Sequence, residues 1–540
     1  MMPDAAQPCP DAQAGAATPW WLGASIYQIY PRSFLDSNGD GIGDLPGITA
    51  RLDHVAALNV DAIWLSPFFT SPMRDFGYDV ADYRGVDPIF GTLADFDALV
   101  ARAHDLDLKI IIDQVWSHTS DCHAWFCESR QSRCNPRADW YVWADPRPDG
   151  TPPSNWQSVF GGPAWTWDAR RQQYYLHNFL NSQPDLNLHN PAVQDAILDV
   201  ARFWLDRGVD GFRIDALNFS MHDPLLRDNP PAGGNHKRTR PFDFQRRIHN
   251  MSHPDIPAFL ERVAAVVNGF PDRFTVAEVG GDDAIGEMHA FTAGAARLNS
   301  AYGFNFLYAD ALTPRLVADA LAQWPQTPGT GWPSWAFSNH DAPRAASRWH
   351  GACGHDDYAR LIMLLLVALR GNIFLYYGEE LGLTQAEIGF ADLQDPEAIA
   401  NWPLTLGRDG ARTPMPWAAD RPSAGFSAGR PWLPLGGDHA LHAVDRQLAD
   451  PRSMLHWTRA LMALRRQQPA LRHGGVETAV AQGDLLILRR TLGTVTLVCA
   501  FNLGAQPIAV DLAIGPPLAS HGGASARLLP PFSGFIAPCA

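Results

Sequence analysis

Eight short apolar runs between residues 24 and 377 constrain the fold of this chain more than any other feature. Each is five to seven residues long, which suits a β-strand better than a helix. Amphipathic, helix-period segments such as Ala192–Leu205 or long loops follow them. This alternation predicts a (β/α)8 TIM barrel of parallel strands. The predicted strands are Ala24–Tyr30, Ala62–Pro67, Lys109–Val115, Gly211–Asp215, Phe274–Val279, Ala301–Leu307, Trp335–Asn339 and Asn372–Tyr377.

With 540 residues, the chain is long enough for more than one domain. We expect residues 1–117 and 188–468 to build the barrel, with a last helix that begins at Asp450-Pro451 and ends near Gln468. Residues 118–187 are rich in Trp, Asn, Pro and Gly and predict an inserted subdomain after the third strand. Residues 469–540 show strand alternation around Leu492-Gly493, which predicts a C-terminal all-β sandwich.

Composition narrows the class of partner. The formal net charge is −15 and no Lys/Arg-rich run occurs, which argues against nucleic acid and anionic membranes. The seven cysteines are scattered and odd in number, so free thiols are expected rather than a disulfide framework, although a zinc site near Cys122, Cys127 and Cys134 is imaginable. No signal peptide or bilayer-spanning run is visible, and we expect a cytoplasmic protein, monomeric or homodimeric.

Charged residues stand where several of the predicted strands end. In a TIM barrel the active site lies at the carboxyl ends of the strands, so Asp215, Glu278 and Asp341 are expected to converge on one pocket. Arg213 lies two residues before Asp215 and therefore on the same side of its strand. A neighbouring cation of this kind is expected to lower the pKa of Asp215 and keep it ionised.

The chain resembles the α-amylase family, glycoside hydrolase family thirteen, on four strand-end motifs in the family's order. Three further segments resemble its α-glucosidase and oligo-1,6-glucosidase branch. The strand-end motifs are residues 113–118, 211–216, 276–279 and 337–341, and the branch segments are 77–79, 183–187 and 407–417. One departure is Ser117, where the family usually has Asn.

The resemblance implies a retaining glycosidase with two carboxyl groups about 5–5.5 Å apart. Asp215 is then the nucleophile, and Glu278, between Ala277 and Val279, has a raised pKa and is the acid/base. Asp341 holds sugar hydroxyls and favours the distorted, oxocarbenium-like state. His118 and His340 are expected to bind hydroxyls at the same subsite, near Arg213.

The same resemblance implies residues for substrate binding and linkage preference. Asp79 and Arg408 are expected to hold the far hydroxyls of the terminal glucose, with Arg412 as the alternative arginine. Tyr78 is expected beneath the sugar ring and Phe160 at the entrance, although both aromatic residues also fit simple packing. Ala216, directly after the nucleophile, implies a preference for α-1,4 over α-1,6 linkages.

A separate acidic loop follows the first strand. Its oxygen-bearing residues alternate with glycines, as in the beginning of a calcium loop, but no Glu stands at the twelfth position. A structural Ca²⁺ or Mg²⁺ is expected here, with a metal-free Asx/Gly turn as the alternative. The expected ligands are Asp36, Asn38, Asp40, the carbonyl of Ile42, and Asp44.

These expectations combine into an exo-acting α-glucosidase without an organic cofactor. It is expected to release or transfer the terminal glucose of maltose-like α-1,4-glucosides through a glucosyl–Asp215 intermediate, to water or to an acceptor sugar or alcohol. An oligo-1,6-glucosidase and a sucrose- or trehalose-processing transglucosidase remain alternatives within the family. A catalytically silent transporter subunit is disfavoured, since the chain keeps all three acids.

Overall fold

A computed structural model describes residues 18–540, except for residues 235–237, 239, 325, 327–330, 352 and 405–406. Residues 1–17, with which the first predicted domain begins and which include Cys9, lie outside the described residues. The six other cysteines are free thiols. Among the described residues, no helix is both long enough and apolar enough to cross a membrane.

Eight parallel strands pair with their sequence neighbours, and the eighth closes on the first, so the predicted (β/α)8 barrel is confirmed. The sixth and seventh strands begin and end earlier than predicted. At the seventh, Asn339 Oδ1 accepts hydrogen bonds from the backbone N–H groups of Asp341 and Ala342 and turns the chain out of the sheet. The strands are Ser25–Ile29, Ala62–Leu65, Lys109–Gln114, Gly211–Ile214, Phe274–Val279, Ser300–Gly303, Trp332–Ala336 and Asn372–Tyr376.

Helices surround this barrel and carry the capping residues that their sequences predict. Thr92 and Asp95 form a capping box at the start of Leu93–Asp105, and Asn190 caps Pro191–Asp206. The last long helix begins at Met454, not at Asp450, because the hydroxyl of Ser453 accepts the N–H of His456. This helix is Met454–Gln467, and the other α-helices are Leu45–Ala50, Leu52–Ala56, Ala124–Ser129, Ile256–Val267, Ala284–Thr292, Pro314–Ala322, Ala345–Arg348, His355–Ala368, Pro396–Asn401, Val444–Ala449 and Pro469–Arg472.

Strands outside the barrel fall in three regions. Phe69–Thr70 pairs with Asp82–Val86 after the second barrel strand. The inserted segment after the third strand holds a small sheet of Trp143–Ala144, Gln173–Leu176 and Trp165–Asp168. The C-terminal sheet, in spatial order, is Gly475–Gln482, Leu485–Leu492, Val495–Asn502, Ser533–Pro538 and Ala519–His521, and Ile508–Ala509 pairs separately with Leu528–Leu529. The domain boundaries given above stay predictions.

Large side chains fill the barrel interior. Trp64, Ile111, Phe274 and Phe374 belong to one buried cluster and are at most 1% exposed. A filled barrel has no central channel, so a substrate can be reached only by side chains at the carboxyl rim and in the loops above it.

Candidate active site

Arg213 is the centre of the charged network at the rim. It lies in register with Asp113 of the neighbouring third strand and is completely buried. Its Nη1 is 2.7 Å from one oxygen of Asp113 and 2.7 Å from Asp215 Oδ1, and its Nη2 is 2.7 Å from Glu278 Oε1. One guanidinium group therefore draws the two predicted catalytic carboxylates together.

Asp215 and Glu278 face a cavity of about 840 Å³ at the rim. Several residues that were predicted from the sequence to bind sugar line this cavity. Asp341, the third predicted carboxylate, lines it as well. The predicted residues in the wall are Tyr78, His118, Phe160, Asp215, Ala216, Glu278, Asp341 and Arg408. Arg213, His340 and Arg412 do not line this cavity, and each hydrogen-bonds protein groups. Their contact with the sugar stays a prediction.

The prediction that Arg213 holds the pKa of Asp215 low is also wrong. Burial raises the pKa of Asp215 to about 7, with a further contribution from Asp113, against the opposing effect of Arg213. Burial likewise raises the pKa of Glu278 to about 7, as predicted for an acid/base. Two carboxyl groups with similar pKa values beside one cation hold about one proton between them near neutral pH.

The pKa of Asp341 is shifted in the opposite direction from the pKa values of Asp215 and Glu278. Burial alone would raise its pKa, but His340, Arg412 and Arg408 hold the pKa well below the usual range of an aspartate. Arg412 Nη2 is 2.6 Å from Asp341 Oδ1, and Arg408 Nη1 is 3.4 Å from the same oxygen. Asp341 is therefore ionised at neutral pH, whereas burial raises the pKa values of Asp215 and Glu278 to about 7.

A hydrogen-bonded chain runs from the barrel interior to the cavity wall. Gln28 Nε2 donates to His340 Nδ1 at 2.9 Å, which leaves the proton of this ring on Nε2. That nitrogen hydrogen-bonds the hydroxyl of Tyr78, which donates to Asp113 at 3.1 Å. Burial lowers the pKa of His340 to about 3, so this ring is neutral and positions Tyr78.

His118 is held in the wall as a neutral imidazole. Its Nε2 donates to the carbonyl of Tyr78 at 3.1 Å, and its Nδ1 is 2.9 Å from the hydroxyl of Ser117. Burial lowers the pKa of His118 to about 4. Ser117, the residue that departs from the family pattern, therefore still orients this histidine.

Asp79, which was predicted to hold sugar hydroxyls together with Arg408, does not line the cavity, and Asp75 stands beside Arg408 in its place. The carboxylate of Asp79 accepts hydrogen bonds from the hydroxyl of Ser71 and the backbone N–H groups of Arg74 and Asp75. It is fully buried and stabilises a loop. Asp75 lines the cavity and pairs with Arg408 Nη2 at 2.8 Å.

Arg408 joins two walls of the cavity. Besides Asp75, it pairs with Asp395 at 2.8 Å, and its guanidinium carbon lies 5.0 Å from the centre of the Phe160 ring. The backbone carbonyl of Phe160 accepts a hydrogen bond from Asn401 at 3.4 Å. These contacts close one side of the pocket, with Phe160 as the predicted wall.

Ala216 has an uncommon backbone conformation. Its φ and ψ are both 42°, in the left-handed region, which L-residues other than Gly, Asn and Asp rarely adopt. Its methyl group lines the cavity, and its N–H points to Glu278 Oε2 at 3.4 Å. The residue therefore links the chain after Asp215 to the carboxyl group of Glu278.

Two site residues besides Asp75 were missed. Asp113 opens the third strand-end motif, and its register with Arg213 could have identified it. Tyr302, on the sixth strand, accepts hydrogen bonds from Arg213 at 3.0 and 3.1 Å and donates to Glu278 Oε1 at 3.2 Å. It lies in a run that looks purely structural, so no local signal marks it.

The acidic loop after the first strand is held by its own backbone. Asp36 accepts the N–H groups of Asn38, Gly39 and Gly41, and Asp44 accepts those of Ser37 and Gly47. The three aspartates of this loop, all within the described part of the chain, do not form a group in which every carboxylate has an oxygen within 4.8 Å of the other two. These are the hydrogen bonds of an Asx/Gly turn, and a Ca²⁺ or Mg²⁺ at this loop stays a prediction.

Comparisons with known proteins identify the class. The family model described as "Alpha amylase, catalytic domain" matches residues 28–474. The chain belongs to this family, and the resemblance noted in the sequence is confirmed.

Relatives within the family include proteins named as glucosidases. A probable alpha-glucosidase from Rhizobium meliloti (strain 1021) is 52% identical, over 96% of this chain and 97% of the relative. An oligo-1,6-glucosidase from Parageobacillus thermoglucosidasius is 37% identical, over 90% of this chain and 91% of the relative.

Two solved structures of enzymes are similar to this chain over nearly its whole length. An alpha-glucosyl transfer enzyme is 50% identical with a TM-score of 0.93, over 97% of this chain and 100% of that chain. A trehalulose synthase from Pseudomonas mesoacidophila MX-45 is 31% identical with a TM-score of 0.87, over 97% of this chain and 100% of that chain.

Proposed function

We propose that this protein is a retaining, exo-acting α-glucosidase for maltose-like α-1,4-glucosides. The observation that carries the proposal is the shared guanidinium of Arg213, which holds Asp215 and Glu278 on one side of one cavity. Retention requires two carboxyl groups close enough to act on one anomeric carbon, one ionised and one protonated.

In the first step, ionised Asp215 attacks the anomeric carbon as the glycosidic bond breaks. Glu278 gives its proton to the departing oxygen, so the leaving group departs as a neutral alcohol or sugar. Asp341 stays ionised and stabilises the positive charge that develops on the ring. The product of this step is a glucosyl ester of Asp215.

In the second step, Glu278 has lost its proton and acts as the base. It removes a proton from water or from an acceptor hydroxyl, whose oxygen attacks the anomeric carbon and releases Asp215. Water gives hydrolysis, and an acceptor sugar or alcohol gives a transferred glucoside. The similarity to an alpha-glucosyl transfer enzyme supports including transfer in the proposal.

The closed side of the cavity supports action at the end of a chain. Asp75, Arg408 and Phe160 stand together there. A terminal glucose with its non-reducing end against Arg408 and Asp75 fits this shape, because ionised groups bind sugar hydroxyls well. The small side chain of Ala216 in the wall supports the α-1,4 preference.

The test is product analysis by ¹H NMR on maltose, isomaltose, sucrose and trehalose. We expect the non-reducing glucose to be released first as the α-anomer, with maltose as the best substrate. In Asp215→Asn, turnover should fall by at least about 10⁴-fold with an unchanged circular dichroism spectrum. Initial release of β-glucose beyond the share that the reducing end of the supplied maltose contributes, or a near-normal rate in the variant, would contradict it.

A different ranking of kcat/KM among these substrates would favour one of the alternative activities within the family. A higher kcat/KM on isomaltose indicates an oligo-1,6-glucosidase, the name of one relative. A higher kcat/KM on sucrose indicates a sucrose-processing enzyme.

We also propose that the loop from Asp36 to Asp44 binds a structural Ca²⁺ or Mg²⁺. Burial alone would raise the pKa of Asp36, but hydrogen bonds from Ser427 and the loop N–H groups lower it, so the carboxylate is ionised. The spacing of oxygen groups and this charge support the proposal. A cytoplasmic location and a monomeric or homodimeric state stay predictions.

A further inference from the structure

A cluster of potential metal ligands lies outside the sugar cavity, where two neighbouring barrel helices begin. His189 comes just before Pro191–Asp206, while His253 and Asp255 come just before Ile256–Val267. Among the residues that the structure describes, these three form the one group of His, Cys, Asp and Glu whose ligand atoms all lie within 4.8 Å of one another. Neither catalysis nor sugar binding uses them.

The spacing of these atoms suits a tetrahedral ion. His253 Nδ1 and Asp255 Oδ2 are 3.6 Å apart. Zinc binds nitrogen and oxygen at about 2.0–2.2 Å, so two neighbouring ligands of a tetrahedral zinc are about 3.3–3.5 Å apart. The rings of His189 and His253 meet at 90° with centroids 4.9 Å apart, and the ligand atoms of all three residues lie within 4.8 Å of one another.

The surroundings orient His189 as a ligand. Its Nε2 is 2.8 Å from the carbonyl oxygen of His222. A carbonyl oxygen can only accept, so Nε2 carries the proton and Nδ1 keeps its lone pair. A metal-binding histidine is commonly held by such a bond from its second nitrogen.

The carboxylate of Asp255 is also free to bind. The residue precedes its helix, yet its side chain makes no capping hydrogen bond. The backbone N–H of Asp255 donates a hydrogen bond of 3.3 Å to His253 Nδ1. An ion bound to this nitrogen would replace that hydrogen bond. That bond is long and contributes little.

We propose that His189, His253 and Asp255 bind a divalent transition-metal ion of the zinc type, with water as the fourth ligand. Two imidazoles and one carboxylate suit Zn²⁺ or Co²⁺ better than Ca²⁺ or Mg²⁺, which prefer oxygen ligands. The site is therefore chemically distinct from the all-oxygen loop at Asp36.

The bound ion would stabilise the region behind the active site. The N–H of Ser252, next to His253, donates to the carbonyl of Asn218 at 2.7 Å. The side chain of Asn218 exchanges two hydrogen bonds of 2.9 Å with the backbone of Gly280. An ion at His253 therefore restrains a segment that is bonded to the loops after Asp215 and Glu278.

The experiment titrates EDTA-treated full-length protein with CoCl₂, followed by visible absorption, and with ZnCl₂, followed by calorimetry. The variants are His189→Ala, His253→Ala and Asp255→Asn, the last of which keeps the size of the side chain and a residue type that favours helix starts. His456→Ala is the control, because this half-buried histidine also contacts a backbone carbonyl.

We expect one equivalent of Co²⁺ with the strong d–d bands of a tetrahedral ion in the wild type and in His456→Ala. Affinity should fall at least about tenfold in each of the three ligand variants. Added Zn²⁺ should raise the Tm of the wild type and the control but not of the ligand variants. A tenfold excess of Ca²⁺ should not displace the ion.

Three results would overturn the proposal. The first is no tetrahedral Co²⁺ spectrum in the wild type. The second is unchanged affinity in all three ligand variants. The third is a cobalt–thiolate charge-transfer band, which would assign the ion to the exposed thiols of Cys122, Cys127 and Cys134.

Discussion

Asp75 and Arg408 form a 2.8 Å ion pair in the wall of the sugar cavity, although 333 residues separate them in the chain. Asp79, four residues after Asp75, points away from the cavity and binds backbone N–H groups of its own loop. The two aspartates therefore have different roles, and matched substitutions can separate them.

Asp75→Asn should weaken substrate binding. The loss of an ionised hydrogen-bonding group costs about 1.5–3 kcal/mol, so kcat/KM on maltose should fall roughly 10- to 100-fold. The fold should survive, because Arg408 keeps Asp395 as a partner. Steady-state kinetics and urea unfolding measure the two effects.

Asp79→Asn is the matched control. An amide cannot accept all three hydrogen bonds of the carboxylate, so the free energy of unfolding should fall by about 1–3 kcal/mol. Its effect on kcat/KM should be smaller than that of Asp75→Asn. The reverse order of effects on kcat/KM would restore Asp79 as the sugar-binding residue.

Glu278→Gln should affect substrates according to how strongly their leaving groups need a proton. On maltose, kcat/KM should fall about 10²- to 10⁴-fold. On p-nitrophenyl α-glucoside it should fall far less, because nitrophenolate departs without protonation. The two values of kcat/KM are measured under the same conditions.

Glu397→Gln provides the control for this comparison. Glu397 lines the same cavity but pairs with Arg240 at 3.1 Å. Its substitution should change kcat/KM by similar factors on maltose and on p-nitrophenyl α-glucoside. If Glu278→Gln did the same, Glu278 would not be the proton donor.

The pH dependence of kcat/KM should be bell-shaped and narrow. Burial raises the pKa of Asp215 to about 7, so activity should be lost as the pH falls and the nucleophile becomes protonated. Burial also raises the pKa of Glu278 to about 7, so activity should be lost as the pH rises and the acid loses its proton. Since the two groups interact, the two limbs report on the pair and lie on either side of about pH 7.

Initial-rate measurements between about pH 4 and pH 10 test this profile. With p-nitrophenyl α-glucoside and Glu278→Gln, the alkaline limb of kcat/KM should disappear and the acidic limb should remain. An acidic limb at the ordinary pKa of an aspartate would show that Arg213 outweighs burial at Asp215.

Ala216→Val should change both linkage preference and stability. We expect the ratio of isomaltose to maltose hydrolysis to rise, because the larger side chain enters the cavity wall. The free energy of unfolding should fall by about 1 kcal/mol or more, since a β-branched residue is disfavoured at a φ of 42°. Ala216→Gly should have the opposite effect on stability and leave the ratio nearly unchanged. An unchanged ratio in Ala216→Val would remove the linkage argument.

Removal of metal should reveal the cation proposed at Asp36–Asp44. EDTA should lower the Tm, and Ca²⁺ or Mg²⁺ should restore it, because an ion that binds only the folded state stabilises it. Asp40→Asn should reduce the response, whereas Asp53→Asn, an exposed aspartate paired with Arg102 on a helix, should not. An identical response to EDTA and added metal in all three proteins would place the ion elsewhere.

Much of the site could be predicted because its residues follow apolar strands. Asp215, Glu278 and Asp341 each come at or just after a strand whose hydrophobic pattern is local and easily recognised. Parallel strands in a closed barrel end on the same rim, so their terminal carboxylates had to meet. The C-terminal β-sheet was predicted from its own local strand alternation, and the inserted segment from its length and its Trp-, Asn-, Pro- and Gly-rich composition.

What the sequence by itself determined is therefore the barrel, its order of strands and the three acids at its rim, since strand period and neighbouring residues specify them. Only the tertiary structure decided that Asp75 rather than Asp79 meets Arg408, that Tyr302 contacts Glu278, and that the pKa of Asp215 is high. Burial and hydrogen bonding from residues distant in the chain set these properties, and no local pattern records them.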